Sequence, residues 1–504
     1  MSTRGVVSTR GTVSARGTAH ARCAGRARLS VVLAFVLAAG FAMTPGCAVG
    51  PNFHAPPSPQ LVQYTRAALP EATGSDAQRF LKGADVPRQW WTQFKSQELD
   101  ALVADALAHN PSVDYAQAAL RQANELVAAQ RGSYLPTVQA SYTASRQRNA
   151  VDVLAPTLTS GDPVFNLHTA QVNVSYVIDL FGANRRQVEA LVGQADAQRW
   201  QLAATYLTLS SNVVVATITE AALRAQLDAT QGMVRSEAET LEIMQRQEAL
   251  GLIAGADVAA QESQLAATQA LIAPLEKQLA QQRDLLAVLT GRFPSDALTT
   301  PVNFAALELP RDLPVSLPSQ LVRQRPDVLI AEAQLHAATA AVGVAIADLL
   351  PQITLDANAG SVGTALDQLL HSGHGFWSAG ASLSQTLVAG GTLWHRKRAA
   401  DAALDQAGAQ YRTAVLAAFQ NVADALQALA SDAGAVTAER HALQAATDSL
   451  EIARHNVEYG SVSALALLSA EQSCQQAQTA LIAAQAAQYT DTAALFQALG
   501  GGWR

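Results

Sequence analysis

The chain has 504 residues, 49% of them hydrophobic but only 5% aromatic and 15% charged. That composition excludes a disordered or collagen-like polypeptide, and the length allows roughly three average domains or one large elongated unit. The formal net charge is −7, and because residues 1–46 hold six arginines and no acid the body that follows is more acidic still, which argues against nucleic acid as a partner.

The chain opens with Arg4, Arg10, Arg16, Arg22, Arg26 and Arg28, an apolar run from Leu29 to Met43, and then Thr44-Pro45-Gly46-Cys47. A basic start, an apolar run shorter than the about 20 residues of a bilayer span and small residues before a cysteine read as an export signal cleaved before Cys47. The segment resembles a bacterial lipoprotein signal, in which the cysteine thiol is lipidated and becomes the new N-terminus, although Thr44 stands where such signals usually carry leucine. An ordinary secretory signal is the alternative. Residues 1–46 are thus the expected signal peptide, Cys47 the lipidation site and residues 47–95 an extended segment after it. With Cys23 in the signal and Cys47 acylated, Cys474 stands alone, so a disulfide framework is excluded.

From residue 96 onward one unit is written twice. An offset of 209 residues aligns Gly182 with Gly391, Gly251 with Gly460, Glu262 with Glu471 and Gly291 with Gly500, and an offset of 215 aligns Pro111 with Pro326 and Pro136 with Pro351. Residues 96–291 and 319–504 are the two repeats, each reading as short helix, two strands, very long helix, tight glycine turn and long return helix. Between them residues 292–318 carry five prolines and read as a connector.

Strands are predicted at about 136–146, 168–178, 352–360 and 376–387, and each alternates apolar with polar residues. Val138, Ala140, Tyr142 and Ala144 oppose Gln139, Ser141 and Thr143; Ala170, Val172, Val174 and Tyr176 oppose Gln171, Asn173 and Ser175. In the second repeat Ile353, Leu355, Ala357 and Ala359 oppose Thr354, Asp356 and Asn358, and Trp377, Ala379, Ala381 and Leu383 oppose Ser378, Gly380 and Ser382. Such segments match transmembrane β-strands with an apolar outer face and a polar lumen, although taken alone they favour a soluble sheet packed on helices, and it is the export signal and the aromatic placement that decide. Tyr134, Phe181 and Trp394 sit where strands meet helices, and Phe165, Phe376 and Trp377 sit at the other ends, two levels that resemble interfacial girdles and favour the membrane. Four strands cannot close a barrel, and an open edge in hydrocarbon leaves backbone groups unpaired, so several chains must share one. Two copies would give eight strands and three would give twelve; only the larger leaves an aqueous lumen beside a helical tube, and the sequence does not itself select between them.

Long helices are predicted at 183–250 and 392–459, with return helices at 256–291 and 463–499. No proline interrupts the two long ones, and each would extend about 100 Å at 1.5 Å per residue. Leu202, Tyr206, Leu209, Val213, Ala216, Leu223 and Leu227 follow a four-three spacing interrupted at Glu220, a coiled-coil seam repeated by Tyr411, Val415, Ala418, Val422, Ala425 and Leu429.

Several stretches in order carry a resemblance: Cys47-Ala48-Val49-Gly50-Pro51-Asn52-Phe53, Asp179-Leu180-Phe181-Gly182, Arg325-Pro326-Asp327-Val328, Phe419-Gln420-Asn421-Val422-Ala423-Asp424-Ala425-Leu426 and Ala498-Leu499-Gly500-Gly501-Gly502-Trp503. In these the chain resembles TolC-like outer-membrane efflux proteins, in the lipoprotein branch (NodT-type) that serves tripartite RND-type pumps. The resemblance implies an α+β membrane protein, a homotrimer whose twelve-stranded outer-membrane β-barrel continues as a periplasmic α-helical barrel with a small equatorial region. It also implies docking to a periplasmic membrane-fusion adaptor and an inner-membrane efflux transporter, contact with outer-membrane lipid, and a duct that passes small molecules such as drugs or toxic compounds to the exterior. The gate is then expected at the helical turns Gly251–Asp257 and Gly460–Ser469. In the family an apolar and an acidic residue near the second turn form constricting rings; these map to Leu465 and Ser469, so serine stands where the acid is usual. Glu471 faces another direction on helical geometry, and Asp257 is the remaining nearby carboxylate, expected to bond across the closed tip beside an apolar gate at Leu465.

No HExxH, GxxxxGK[ST] or post-strand GxGxxG motif occurs, and no catalytic residue, cofactor or metal site is assigned. His371 and His374, in the connection between the third and fourth strands, and His395 read as surface imidazoles rather than metal ligands. Arg185-Arg186 and His395-Arg396-Lys397-Arg398 read as basic patches at helix starts, solvated or facing lipid headgroups. The rival reading is an exported coiled-coil lipoprotein, a scaffold or adhesin without a pore, which leaves the four matched strands unexplained.

Overall fold

The computed structural model describes residues 48–59, 61, 63–66, 72–73, 78–148, 164–296, 301–458 and 464–501; the signal segment, Cys47, Gly460 and Trp503 lie outside the described residues. In chain order its elements are strands β1 (Ala72–Thr73) and β2 (Gln78–Lys82), helices α1 (Gln97–His109) and α2 (Pro111–Arg131), strands β3 (Thr137–Arg148) and β4 (Val164–Ile178), and helices α3 (Ala183–Ala249), α4 (Gly255–Ala270) and α5 (Ile272–Leu289). Strand β5 (Asp312–Val315), helices α6 (Pro318–Gln324) and α7 (Pro326–Ala347), strands β6 (Gln352–Gly363) and β7 (Gly375–Ser384), and helices α8 (Thr392–Glu458) and α9 (Ala464–Ala498) complete it. These elements form two compact units.

The described part of the first unit comprises residues 48–50, 132–148, 164–186 and 343–393. Its four strands form one antiparallel sheet in the order β3-β4-β6-β7, so the hairpin of each repeat lies beside that of the other. After β4 the chain turns into α3 through Gly182, whose φ of +80° places it in the left-handed region that glycine enters without strain. Asp179 caps the start of α3, its carboxylate accepting from the backbone N–H groups of Asn184 at 3.0 Å and Arg185 at 3.1 Å.

The second unit holds the long helices. Both α3 and α8 run 67 residues, uninterrupted because neither contains proline. The main core gathers Trp90, Phe94, Leu99, Ile218, Leu426, Leu429, Leu495 and Phe496, with the Trp90 ring stacked on Phe496 at 5.3 Å. The seam residues Leu209, Val213, Ala216, Leu227, Tyr411, Val415, Ala418, Val422, Ala425 and Leu429 are buried. At the interruption of the first seam, the buried Glu220 carboxylate accepts from Arg224 one turn on and from Arg283 of α5 at 3.1 Å. A charged residue thus occupies a seam position because two guanidinium groups meet it there.

Three features differ from the sequence reading. The segment 47–95 is not simply extended: it supplies β1, β2 and a 3₁₀ turn, Trp90–Phe94, that delivers two rings to the core. The proline-rich connector supplies β5, which pairs in parallel with β2, and Gln78 Nε2 donates to Pro310 O at 3.1 Å. The first return helix is two helices, α4 and α5, meeting at Leu271. Pro274, third residue of α5, has no N–H to continue the ladder, so the break falls one turn ahead of it.

Gly291 with Pro111, and Gly500 with Pro326, serve one purpose in the two repeats. Pro111 and Pro326 each start a helix after a short break, and the end of the return helix docks on that break. In the first repeat Asn110 Nδ2 donates to Leu289 O at 2.8 Å; in the second Arg325 Nη1 donates to Ala498 O at 2.6 Å while the rest of its guanidinium holds Asp327. Gly291, at φ +74°, approaches so closely that a Cβ there would lie 2.3 Å from His109 O. Gly291→Val should therefore cost about 2 kcal/mol or more, read as a lower thermal unfolding midpoint. Gly434→Ala is the control: nothing lies within 4 Å of its Cβ on α8, and the change should stabilise by up to about 1 kcal/mol.

Candidate functional site: a two-faced sheet and an apolar helical tip

Register fixes what each face of the sheet presents, because directly opposed residues share a face. One row runs Val138, Val174, Ala357 and Ala379, and the next same-face row runs Ala140, Val172, Ala359 and Trp377. Tyr176, Leu355 and Ala381 extend the apolar face, as do Ile178, Ile353 and Leu383. On the other face Gln139, Asn173, Asn358 and Ser378 form one row, and Thr137, Ser175, Asp356 and Gly380 another. The four alternating patterns thus add up to one apolar and one polar surface.

The same parity sorts the aromatic residues. Trp377 lies on the apolar face, but Phe165 opposes Gln147 and Phe376 opposes Gly360, which puts both rings on the polar face. Of the three residues at that level only Trp377 lies on the apolar face. At the other level Tyr134 ends a 3₁₀ turn, the Phe181 carbonyl accepts from Val49 N–H at 3.1 Å, and Trp394 is exposed near the start of α8. In the loop between β6 and β7, His374 Nδ1 donates to Val362 O at 2.8 Å and His371 is exposed. The basic pair is committed to the protein: Arg185 bonds Asp179, and Arg186 is buried. Neither is a free patch for lipid headgroups. In the other basic run, Lys397 pairs with Asp401 at 2.7 Å, while His395, Arg396 and Arg398 are exposed.

In the helical unit, the turn between α3 and α4 closes by Gly251 N–H to Glu248 O at 2.8 Å and Leu252 N–H to Gln247 O at 2.9 Å, with Gly251 at φ +74°. It displays Leu250 and Leu252, 75% and 69% exposed, and at the start of α9 Leu465 is 68% exposed. Ser469, one turn after Leu465, is exposed on the same side of α9. The two leucines of the first turn were not singled out from the sequence; their signal was two leucines flanking the glycine of a turn. Asp257 is half-buried in the first turn of α4, and among the described residues its carboxylate has no bonding partner within the chain.

Glu471 is fully buried, where α3, α4, α8 and α9 meet. Its carboxylate accepts from Thr240 Oγ1 and Gln261 Nε2, both at 3.2 Å, and lies 3.8 Å from Arg454 Nη2. Beside it the buried Glu237 accepts from Thr268 Oγ1 at 3.0 Å and Gln264 Nε2 at 3.3 Å, and among the described residues its second oxygen has no partner. Burial raises the Glu237 carboxyl above the usual range, these hydrogen bonds partly oppose the shift, and the Glu471 charge adds to it. Between α8 and α9, Asp432 meets Asp491. Asp432 is pushed up to about 7, first by burial and then by the hydrogen bond and charge of Asp491. A carboxyl whose folded value exceeds its unfolded one stabilises the fold while protonated, and that contribution is lost as pH rises through the folded value. The thermal midpoint should fall as pH rises from about 4 to about 7, and Asp432→Asn should flatten that part of the profile and raise the midpoint at its alkaline end.

The arrangement offers a membrane-type sheet with a polar surface behind it and a tip of exposed leucines. A family model described as outer membrane efflux protein matches residues 102–292 and again 317–501, once on each repeat. A pyoverdine export outer membrane protein, OpmQ of Pseudomonas putida, is 31% identical over 430 residues, covering 84% of this chain and 90% of its own length. A toluene efflux pump outer membrane protein, TtgC of another Pseudomonas putida strain, is 29% identical over 90% of this chain and 92% of its own. Among solved structures the outer-membrane channel OprN superposes with a TM-score of 0.81 at 26% identity, covering 91% of this chain and all of that one. The CmeC outer membrane channel of Campylobacter jejuni gives a TM-score of 0.82 at 22% identity, over 90% of this chain and 95% of that one, a likeness of fold.

Proposed function

The chain belongs to the outer membrane efflux protein family, and from that membership we propose that three copies close one channel, the exit duct of a tripartite pump. It is an efflux protein of the outer membrane. The observation that carries the three-chain reading is the sheet: β3 and β7, 12 and 10 residues long, are its two edges, and its faces are sorted into apolar and polar. An edge strand in hydrocarbon needs a partner for every second backbone group, and β3 of one chain can supply it to β7 of the next. Three sheets make a twelve-stranded barrel, wide enough for an aqueous lumen lined by Gln139, Asn173, Asn358 and their row-mates.

In this reading the apolar face meets outer-membrane lipid, an acylated Cys47 anchors the mature chain, and α3, α4, α5, α8 and α9 of three chains build a periplasmic tunnel. A periplasmic adaptor engages the helical end, and an inner-membrane transporter loads the duct with small molecules. The lumen face is mostly amides and hydroxyls, which favours passage without strong binding and leaves cargo selection to the transporter. The gate is apolar: a ring of Leu465 side chains, with Ser469 behind it, narrows the tunnel by excluding water. The exposure of Leu465, and of Leu250 and Leu252 at the neighbouring turn, supports this over a cation-binding ring.

Light scattering of the detergent-extracted particle, corrected for bound detergent, tests the closure. Three chains per particle are expected; a single chain, or recovery in the soluble fraction, would sink the duct. For the gate, Leu465→Ser should raise single-channel conductance several-fold and sensitise cells to drugs excluded by the closed tip. Unchanged conductance and permeability would rule out Leu465 as the constriction.

A further inference from the structure

The residues immediately after Cys47 occupy a built seat in the sheet unit. Val49 N–H donates to Phe181 O at 3.1 Å. Arg186, buried in the first turns of α3, turns its guanidinium back onto this segment, with Nε donating to Val49 O at 3.0 Å and Nη2 to Gly50 O at 3.4 Å. Three glycines clear the space. A Cβ on Gly182 would lie 2.7 Å from Ala48 Cα, one on Gly50 would lie 2.5 Å from Gly343 Cα, and one on Gly343 would lie 2.8 Å from Arg186 Cγ. Gly50 and Gly182 have φ of +92° and +80°, so glycine answers both the conformation and the contact there. Backbone therefore lies on backbone at both ends of the segment, and a charged, planar donor ties its carbonyls to the helix.

We propose that Arg186 is a positioning residue for the lipid anchor: the seat holds residues 48–50 by itself, and so fixes the height at which an acylated Cys47 enters the membrane. Ala48, the first residue of the seat, rests on Gly182 at the turn into α3. The diacylglyceryl group then starts at the strand-to-helix junction marked by Phe181, rather than at the end of a free tether. Its chemistry is that of a lipid attached at a preset point, with the depth set by protein contacts. The proposal rests on the lipidated-channel reading above, but its geometry is independent of it.

Hydrogen-exchange mass spectrometry on the whole channel, with the mass of the N-terminal peptide read in the same experiment, separates seat from anchor. In the wild type the Val49 amide should exchange slowly and the N-terminal peptide should carry lipid. Arg186→Gln should speed exchange in residues 48–50 about tenfold or more while β4 and β6 keep their protection and the lipid mass is retained. Cys47→Ser, exported on an ordinary secretory signal, should keep Val49 within about twofold of the wild type. Unchanged exchange in Arg186→Gln, or loss of protection in Cys47→Ser trimers equal to that expected of Arg186→Gln, would overturn the proposal. Should Arg186→Gln fail to assemble, Gly343→Ala, which drives a methyl into the Arg186 stem, should produce the same faster exchange in residues 48–50, and its absence would overturn the proposal equally. A wild-type channel with a protected Val49 and an unlipidated Cys47 would also overturn it, and would do so without touching the duct, which the particle mass decides.

Discussion

Each of the strands β3 and β7 has one side of its backbone unpaired within the chain's sheet, and where that backbone crosses hydrocarbon every unmet N–H or C=O costs several kcal/mol. No side chain on either strand can meet that demand, because side chains project from the faces and not along the edges. The sorted faces make the demand specific. A sheet with a polar surface on one side and Val, Ala, Leu and Trp on the other needs water on one side only, and closure of edge on edge provides that arrangement without leaving an end. Under the proposed three-chain closure, oligomerisation is thus a requirement of the sheet itself, and the helical tunnel follows from the same symmetry.

The duplication meets a different problem, how to end helices of 67 residues and bring the chain back. Both repeats use a left-handed glycine, Gly182 and Gly391, to enter the long helix, and another, Gly291 and Gly500, to let the return helix press on the break before Pro111 or Pro326. The polar partner at that break has diverged from Asn110 to Arg325, yet each donates to a carbonyl at the end of the return helix. Along the shafts the seam includes Ala216, Ala418 and Ala425, which let helices approach closely but bury little area per residue. Polar nodes punctuate them: Glu220 with Arg224 and Arg283, Glu237 with Glu471, Asp432 with Asp491. A buried carboxylate is costly in any register but one that brings donors to it, so the Glu220 node, met by Arg224 and Arg283, selects one sliding position among many that an apolar seam alone would tolerate.

Strand alternation was legible because a period of two is local and each of the four segments repeats it. The long helices were legible for a similar reason, since the seam spacing and the missing prolines are both written along one stretch. The parity that moves Phe165 and Phe376 to the polar face was also in the sequence: counting by two from Gln171 or from Ser378 reaches them, but reading position along the strand without face hid it. Pro274 announced the break at Leu271. Less accessible was β5, four residues with Pro314 inside, whose strand state exists only because β2 lies beside it. The same holds for Thr240 and Gln261 as partners of Glu471 and for the seat of residues 48–50, which join positions more than a hundred residues apart and leave no periodic trace.

Serine at 469 gains meaning from where the nearby acids went. Glu471, two residues on, points into the four-helix junction and is held there by Thr240, Gln261 and Arg454, so it has no free rotamer toward the tip. Among the acids near the first turn, the Glu248 carboxylate lies beside Gly255 and Asp257 is half-buried, on α3 and α4 rather than on the exposed side of α9. What α9 presents there is Leu465 and a hydroxyl one turn later. A ring of carboxylates would hold a cation and would open or close with divalent ions, whereas a ring of leucines followed by serines resists ions by the cost of stripping their water. Under the proposed apolar gate the barrier depends on the radius of the ring more than on its charge, so opening would need movement of the helices and not release of a bound ion.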